Sequence, residues 1–135
     1  MAVKLRYPYL KGGARGETVI SGSFTIGAAG AITATAGFVT SRAAGLAPGI
    51  VKTAAKTGRY TVLLDRTYKS LRFLGAPGIV GAADAAIGNA SGNIGFFRNA
   101  SGAGFDVQLA LASTGADTDA TNPTTVHWSV IVREL

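Results

Sequence analysis

From Glu17 onward, apolar residues recur at every second position, the period of a strand covered on one face, and not at the 3.6-residue period of a helix. In residues 17–26, Ile20, Phe24 and Ile26 share one side while Ser21, Ser23 and Thr25 take the other. Gly27-Ala-Ala-Gly30 then turns the chain into Ala31-Ile-Thr-Ala-Thr-Ala36, which predicts a hairpin. A further apolar piece at Phe38-Val39 precedes a loop over 43–49 that contains the turn dipeptide Pro48-Gly49. Residues 50–54 and 59–65 form a second predicted hairpin across Ala55-Lys-Thr-Gly58, with Tyr60, Val62 and Leu64 on its inward side.

Asp65-Arg-Thr-Tyr-Lys-Ser70 is rich in turn formers and charges; alternation restarts at Leu71 and Phe73 and breaks at Ala76-Pro77-Gly78. Residues 82–92 are Ala, Gly, Asn, Ser and Ile around Asp84, a long loop with room for one helical turn over 82–87. Strand character resumes over 94–98, Asn99-Ala-Ser-Gly-Ala-Gly104 turns, and Phe105, Val107, Leu109 and Leu111 give the cleanest alternation. The last strand, 124–133, aligns Val126, Trp128, Val130 and Val132. Eight or nine short strands without a substantial helix predict an all-β fold, a single-domain antiparallel β-sandwich or jelly roll over residues 17–135. Phe105, Leu109 and Trp128 belong to its predicted core.

Residues 1–16 stand outside the alternation. They hold four bases (Lys4, Arg6, Lys11, Arg15) and no acid, with Tyr7 and Tyr9 flanking Pro8 and a glycine-rich end, which predicts an extended basic N-terminal arm. Tyr7, Tyr9 and Leu10 suit anchors on a neighbouring chain, because tyrosine gives large contact area at low entropy cost. Lys4, Arg6, Lys11 and Arg15 would add salt-dependent attraction. These seven are the candidate partner-interface residues.

The chain has no cysteine, which excludes disulfides, thiolate metal sites and cysteine nucleophiles, and one histidine, which excludes two-histidine metal motifs. Acid–base chemistry near neutral pH would fall to His127 or to a perturbed carboxylate. His127 lies on the side of the last strand opposite Trp128, beside Thr125 and Ser129, and no partner for it is legible. Asp117-Thr-Asp119-Ala-Thr121-Asn122 alternates oxygen donors but lacks the Gly and the distant Glu of a calcium loop, so it is expected to be a solvated connection. Spacings such as Gly92-x-x-Gly95 match no phosphate-binding loop. The expectation is a protein that is not an enzyme, with no catalytic residue, metal or cofactor.

Ala and Gly together supply 43 of the 135 residues, and charged residues only 15%, against roughly a quarter in typical soluble domains. Such a surface favours a subunit that covers itself against partners, a homo-oligomer or lattice component. There is no secretory h-region and no run of about 18 apolar residues, so synthesis in the cytoplasm and no membrane span are expected. Charge is uneven along the chain: residues 1–72 hold eleven bases and two acids, residues 73–135 two bases and five acids, for a net +6. A nucleic-acid binder would use such charge with aromatics interleaved for stacking, yet Tyr60, Phe73, Phe105 and Trp128 fall on the faces the core needs. The other use is a basic surface that meets an acidic partner or the acidic end of a neighbouring copy.

Gly58-Arg-Tyr-Thr-Val-Leu-Leu-Asp65, Leu71-Arg-Phe73, Phe105-Asp-Val-Gln-Leu109, Ala116-Asp-Thr-Asp119 and Val126-His-Trp-Ser-Val-Ile-Val-Arg133 together resemble small structural proteins of tailed bacteriophages, nearest the capsid decoration, or cement, proteins. The similarity spans residues 58–135. It implies a β-sandwich or jelly-roll subunit, often a trimer, that binds the major capsid protein on the outer capsid surface and reinforces the shell, with no catalytic residues. The location implied is the virion, at the capsid surface. A tail, baseplate or fibre-associated structural β-domain is the alternative, and a small basic nucleic-acid-binding module the second.

Overall fold

The computed structural model describes residues 16–27, 30–38, 48–53, 55–81, 93–111, 113–119 and 123–134. The candidate arm residues Lys4, Arg6, Tyr7, Tyr9, Leu10, Lys11 and Arg15, Val39 of the expected apolar piece, most of the 43–49 loop, and segment 82–92 with its expected helical turn lie outside the described residues.

Nine strands form two antiparallel sheets: β1 (Glu17–Ile26), β2 (Ile32–Gly37), β3 (Gly49–Lys52), β4 (Arg59–Leu63), β5 (Ser70–Phe73), β6 (Gly78–Gly81), β7 (Asn93–Ser101), β8 (Gly104–Leu111) and β9 (Thr124–Arg133). The first sheet, A, runs β2-β1-β9-β5, with β6 also on β9; the second, B, runs β3-β4-β8-β7. Among the described residues there is no α-helix, and so none long and apolar enough to cross a membrane. Both predicted hairpins are present, β1–β2 and β3–β4.

β1 and β9 pair along their whole length, from Glu17 with Arg133 to Ile26 with Thr124. Along β1 the inward residues are Ile20, Gly22, Phe24 and Ile26. Gly22 has no side chain because Trp128, its partner in register, lies there: a Cβ on Gly22 would sit 2.8 Å from Trp128 Cζ2 and 3.0 Å from the Ala36 carbonyl oxygen.

One correction concerns the chain after Pro77, where the sequence predicts no strand. β6 pairs there with residues 124–127 of β9, while β5 pairs with 130–133. Four residues (74–77) face two on β9, an excess of two, so Phe73 and Ile79 both still face inward. Proline has no N–H for the ladder and forces the excursion at this edge. Gly-Ile-Val-Gly is too short for period two to be visible. A second correction is the turn over 99–104, which shrinks to residues 102–103: β7 continues through Asn99 to Ser101. Asn99 adopts a positive φ of 51°, and its side-chain amide donates to Asp106 Oδ2 at 2.8 Å.

Both sheets contribute to one apolar core that includes Phe24, Ile26, Tyr60, Val62, Phe105, Val107, Leu109, Val126, Trp128 and Val130. Aromatic rings join the sheets. Phe24 meets Tyr60 at 5.4 Å and Phe105 meets Trp128 edge-on at 5.3 Å. Phe73 and Phe97 stack at 4.0 Å, each with its flank to Phe105. The predicted core residues Trp128, Phe105 and Leu109 are all buried.

Candidate functional site

The end of the molecule where β1 turns into β2 and β3 into β4 carries a polar cluster. Lys52 pairs in register with Tyr60 and so takes the inward parity, where an ammonium requires a partner. Asp119 supplies it: Lys52 Nζ donates to Asp119 Oδ1 at 2.6 Å, and the Gly58 N–H donates to the same oxygen at 2.7 Å. The Tyr60 hydroxyl donates to the Gly30 carbonyl at 2.8 Å, and the Lys52 ammonium lies 5.6 Å from the Tyr60 ring centroid. Three connections are thereby fastened: the β1–β2 turn, the β3–β4 turn and the segment leading to β9.

The Lys52 ammonium holds the Asp119 carboxyl below its ordinary value, with the Gly58 N–H adding and burial opposing. Burial, then the Asp119 charge, pushes the Tyr60 phenol well above its own. Asp119 is therefore an anion with satisfied partners, and the cluster is a clasp. Beside it lies an open depression of about 480 Å³ lined by Lys52, Thr53, Ala55, Lys56, Thr57 and Asp119. The expected solvated connection is thus anchored at Asp119. The signal for that was in the sequence: Lys52 shares parity with Ile50 on the inward side of its strand.

At the opposite end, Arg72 donates to Glu17 at 2.7 Å, and Arg66 pairs with Asp65 at 3.0 Å and with Glu134 at 3.7 Å. The Tyr68 hydroxyl donates to Asp65 Oδ1 at 2.7 Å. Burial, with this bond, raises the Tyr68 phenol above its ordinary value.

The outer faces of the two sheets differ. On sheet B, a ribbon of hydrogen bonds runs from Thr53, just past the end of β3, across β4, β8 and β7: Thr53 with Thr61 at 2.7 Å, Thr61 to Asp106 at 2.8 Å, and Asn99 to Asp106. Arg59 Nε donates to Gln108 Oε1 at 2.9 Å, and Phe96, directly across from Gln108, is 46% exposed. On sheet A, the outward residues from the Ser21 row to the Thr25 row include no Lys, Arg, Asp or Glu: Ser21, Ser23 and Thr25 on β1, and Thr125, His127 and Ser129 on β9. His127 is exposed opposite Ser23, and no described side chain hydrogen-bonds to it. A shallow dent of about 310 Å³ lies over Gly22 and Gly37, bordered by Ser21, Ser23, His127 and Ser129. Among the described residues no three His, Asp or Glu side chains converge on a common point.

Comparison with known proteins gives no matching family model, no similar curated protein and no matching solved structure.

Proposed function

We propose that the protein is a structural virion component of a tailed bacteriophage, a decoration (cement) protein that binds the major capsid protein on the outer capsid surface and stabilises the shell. In this proposal it is a β-sandwich with an extended basic arm at its N-terminus, and a homo-oligomer. The observation that supports the assignment best is where positive charge remains after folding. The described residues hold eight bases (Lys52, Lys56, Arg59, Arg66, Lys69, Arg72, Arg98, Arg133) and six acids (Glu17, Asp65, Asp106, Asp117, Asp119, Glu134), a net +2. Residues 1–15 hold four bases and no acid, so they carry most of the chain's +6; Arg42 and Asp84 cancel.

A nearly balanced body with a basic segment at one end suits attachment by that segment to an acidic neighbouring surface. Many copies that bind only the assembled shell displace the equilibrium away from disassembly. An arm that orders on binding adds interface without a larger domain. The same distribution disfavours a nucleic-acid interface, because bases of the first half meet acids of the second, as in Lys52–Asp119 and Arg66–Glu134.

Gold-labelled antibody on purified virions tests the location, with label over the capsid expected. Label confined to the tail would move the protein to a tail or baseplate role, and unlabelled virions would refute a virion component. Co-sedimentation with empty shells tests the arm. Deleting residues 1–15 should leave the melting temperature nearly unchanged and weaken attachment by about tenfold or more. Replacing Tyr7 and Tyr9 with Ala should reproduce much of that loss, and added salt should weaken attachment of the intact protein. Full occupancy by the truncated protein at the same concentration would place binding in the sandwich surface.

A further inference from the structure

We propose that the outer face of sheet A is where two copies of this chain meet, through a reciprocal contact in which Leu74 of each copy seats in the dent over Gly22 and Gly37 of the other. The proposal refines the homo-oligomer suggested above by naming its surface, and it is independent of shell attachment.

Three observations carry it. The first is a protrusion. Leu74 follows inward-facing Phe73, donates its backbone N–H to the Ser129 carbonyl at 3.0 Å, and is 47% exposed at the start of the excursion between β5 and β6. It is the most exposed of the large apolar side chains described. The second is a recess on the other side of β9. Over the backbone of Gly22 and Gly37, between the short side chains of Ser21, Ser23 and Ser129, lies an open space of about 310 Å³. Knob and recess thus flank the same strand of the same face. A two-fold axis parallel to β9, lying in the plane between two facing copies of sheet A, sets the knob of each over the recess of the other, which is the geometry of an isologous interface.

The third observation is charge. Each copy carries +6, so two copies repel unless they approach through a surface without ionic groups. From the Ser21–Ser129 row to the Thr25–Thr125 row, the described outward residues of sheet A include no Lys, Arg, Asp or Glu. Charged residues begin beyond the Ser129 row, with Arg72 opposite Ile131 and Glu17 opposite Arg133, and the first two neutralise each other as an ion pair. The outer face of sheet B carries Arg59, Arg98 and Asp106 among its outward residues. Interface centres are depleted in charge, so sheet A presents the face on which like-charged copies can close. Its hydroxyls at 21, 23, 25, 125 and 129 can exchange water for one another across the axis.

Sedimentation velocity of the intact protein, over a concentration series reaching the millimolar range and without shells present, tests the proposal. A reversible monomer–dimer equilibrium is expected. Leu74→Asp and Ser23→Arg should each weaken dimerisation by about tenfold or more, since each introduces a charge into the contact twice. Both side chains lie on the outer face, Leu74 exposed and Ser23 half-buried, so circular dichroism should be unchanged and melting nearly so. Leu74→Ser is the milder variant should Leu74→Asp fold poorly, and a smaller loss is expected from it. Mixing Leu74→Asp with Ser23→Arg should restore a one-to-one dimer, because one of its two contacts then joins an aspartate to an arginine and the other is native. A protein monomeric throughout the series would overturn the proposal. So would variants that associate like the parent, a mixture that stays monomeric, or an assembly with an odd number of copies. None of these outcomes bears on attachment to shells.

Discussion

Gly22 shows how an absent side chain decides packing. The Trp128 ring occupies the space a Cβ would take, so Gly22→Ala forces the largest core residue to move or the β1–β2 pairing to spread. Overpacking of this kind is expected to cost about 1–3 kcal/mol. Trp128→Ala, which leaves a void, should cost about 3–5 kcal/mol. Urea unfolding followed by circular dichroism compares the two, and the Trp128 emission of Gly22→Ala should shift from that of the parent. An unchanged urea midpoint for Gly22→Ala would mean that the ring is not wedged against β1. Trp128 was legible in the sequence, since it alternates with Val126 and Val130. The demand on Gly22 was not, because a glycine carries no sign of which partner crosses it.

At the scale of elements, the β3–β4 hairpin depends on a close approach between its turn and a segment near residue 118. Gly58 has φ +65°, its carbonyl accepts from the Leu109 N–H at 2.8 Å, and a Cβ there would run into the backbone carbonyl of Thr118. Backbone atoms cannot swing aside as a side chain can. Gly58→Ala should therefore destabilise more than Gly22→Ala, by about 3 kcal/mol or more, through a strained φ and a displaced segment 116–118. Thermal melting of the two variants side by side checks the order. Both hairpins could be read from alternation and turn residues. The strand β6 could not, because its pairing comes from the length of β9: ten residues can serve β5 at one end and β6 at the other.

For the molecule as a whole, the Lys52–Asp119 clasp joins parts of the chain 67 residues apart and fastens the turn end of both sheets. Because Lys52 lowers the Asp119 value in the folded state, the clasp contributes at neutral pH, above the unfolded value of about 4, and its contribution is lost as pH falls through the lowered folded value. The side chains are 33% and 39% exposed, so solvent screening limits the contribution to about 1 kcal/mol or less. Asp119→Asn should melt slightly below the parent at pH 7, and the gap should close as pH falls below about 4. A gap independent of pH would show that the carboxylate charge is not what holds the turns. In the alkaline range, Tyr60 and Tyr68 resist ionisation in the folded state, so they contribute stability below about pH 10 that is lost as pH rises further.

By itself the sequence determined that this chain is all-β, which residues of its clearly alternating strands face the core and where both early hairpins turn, because a period of two is local and burial of one face follows directly from it. It also set the total charge and the uneven halves. Tertiary structure alone decided what that unevenness becomes. Each sheet combines strands from both halves, β1 and β2 with β9 in one, β3 and β4 with β7 and β8 in the other, so bases of the first half land beside acids of the second. Charge has no periodicity that names its partner, and pairs such as Lys52–Asp119 come together only when strands far apart in the chain share a sheet or an end.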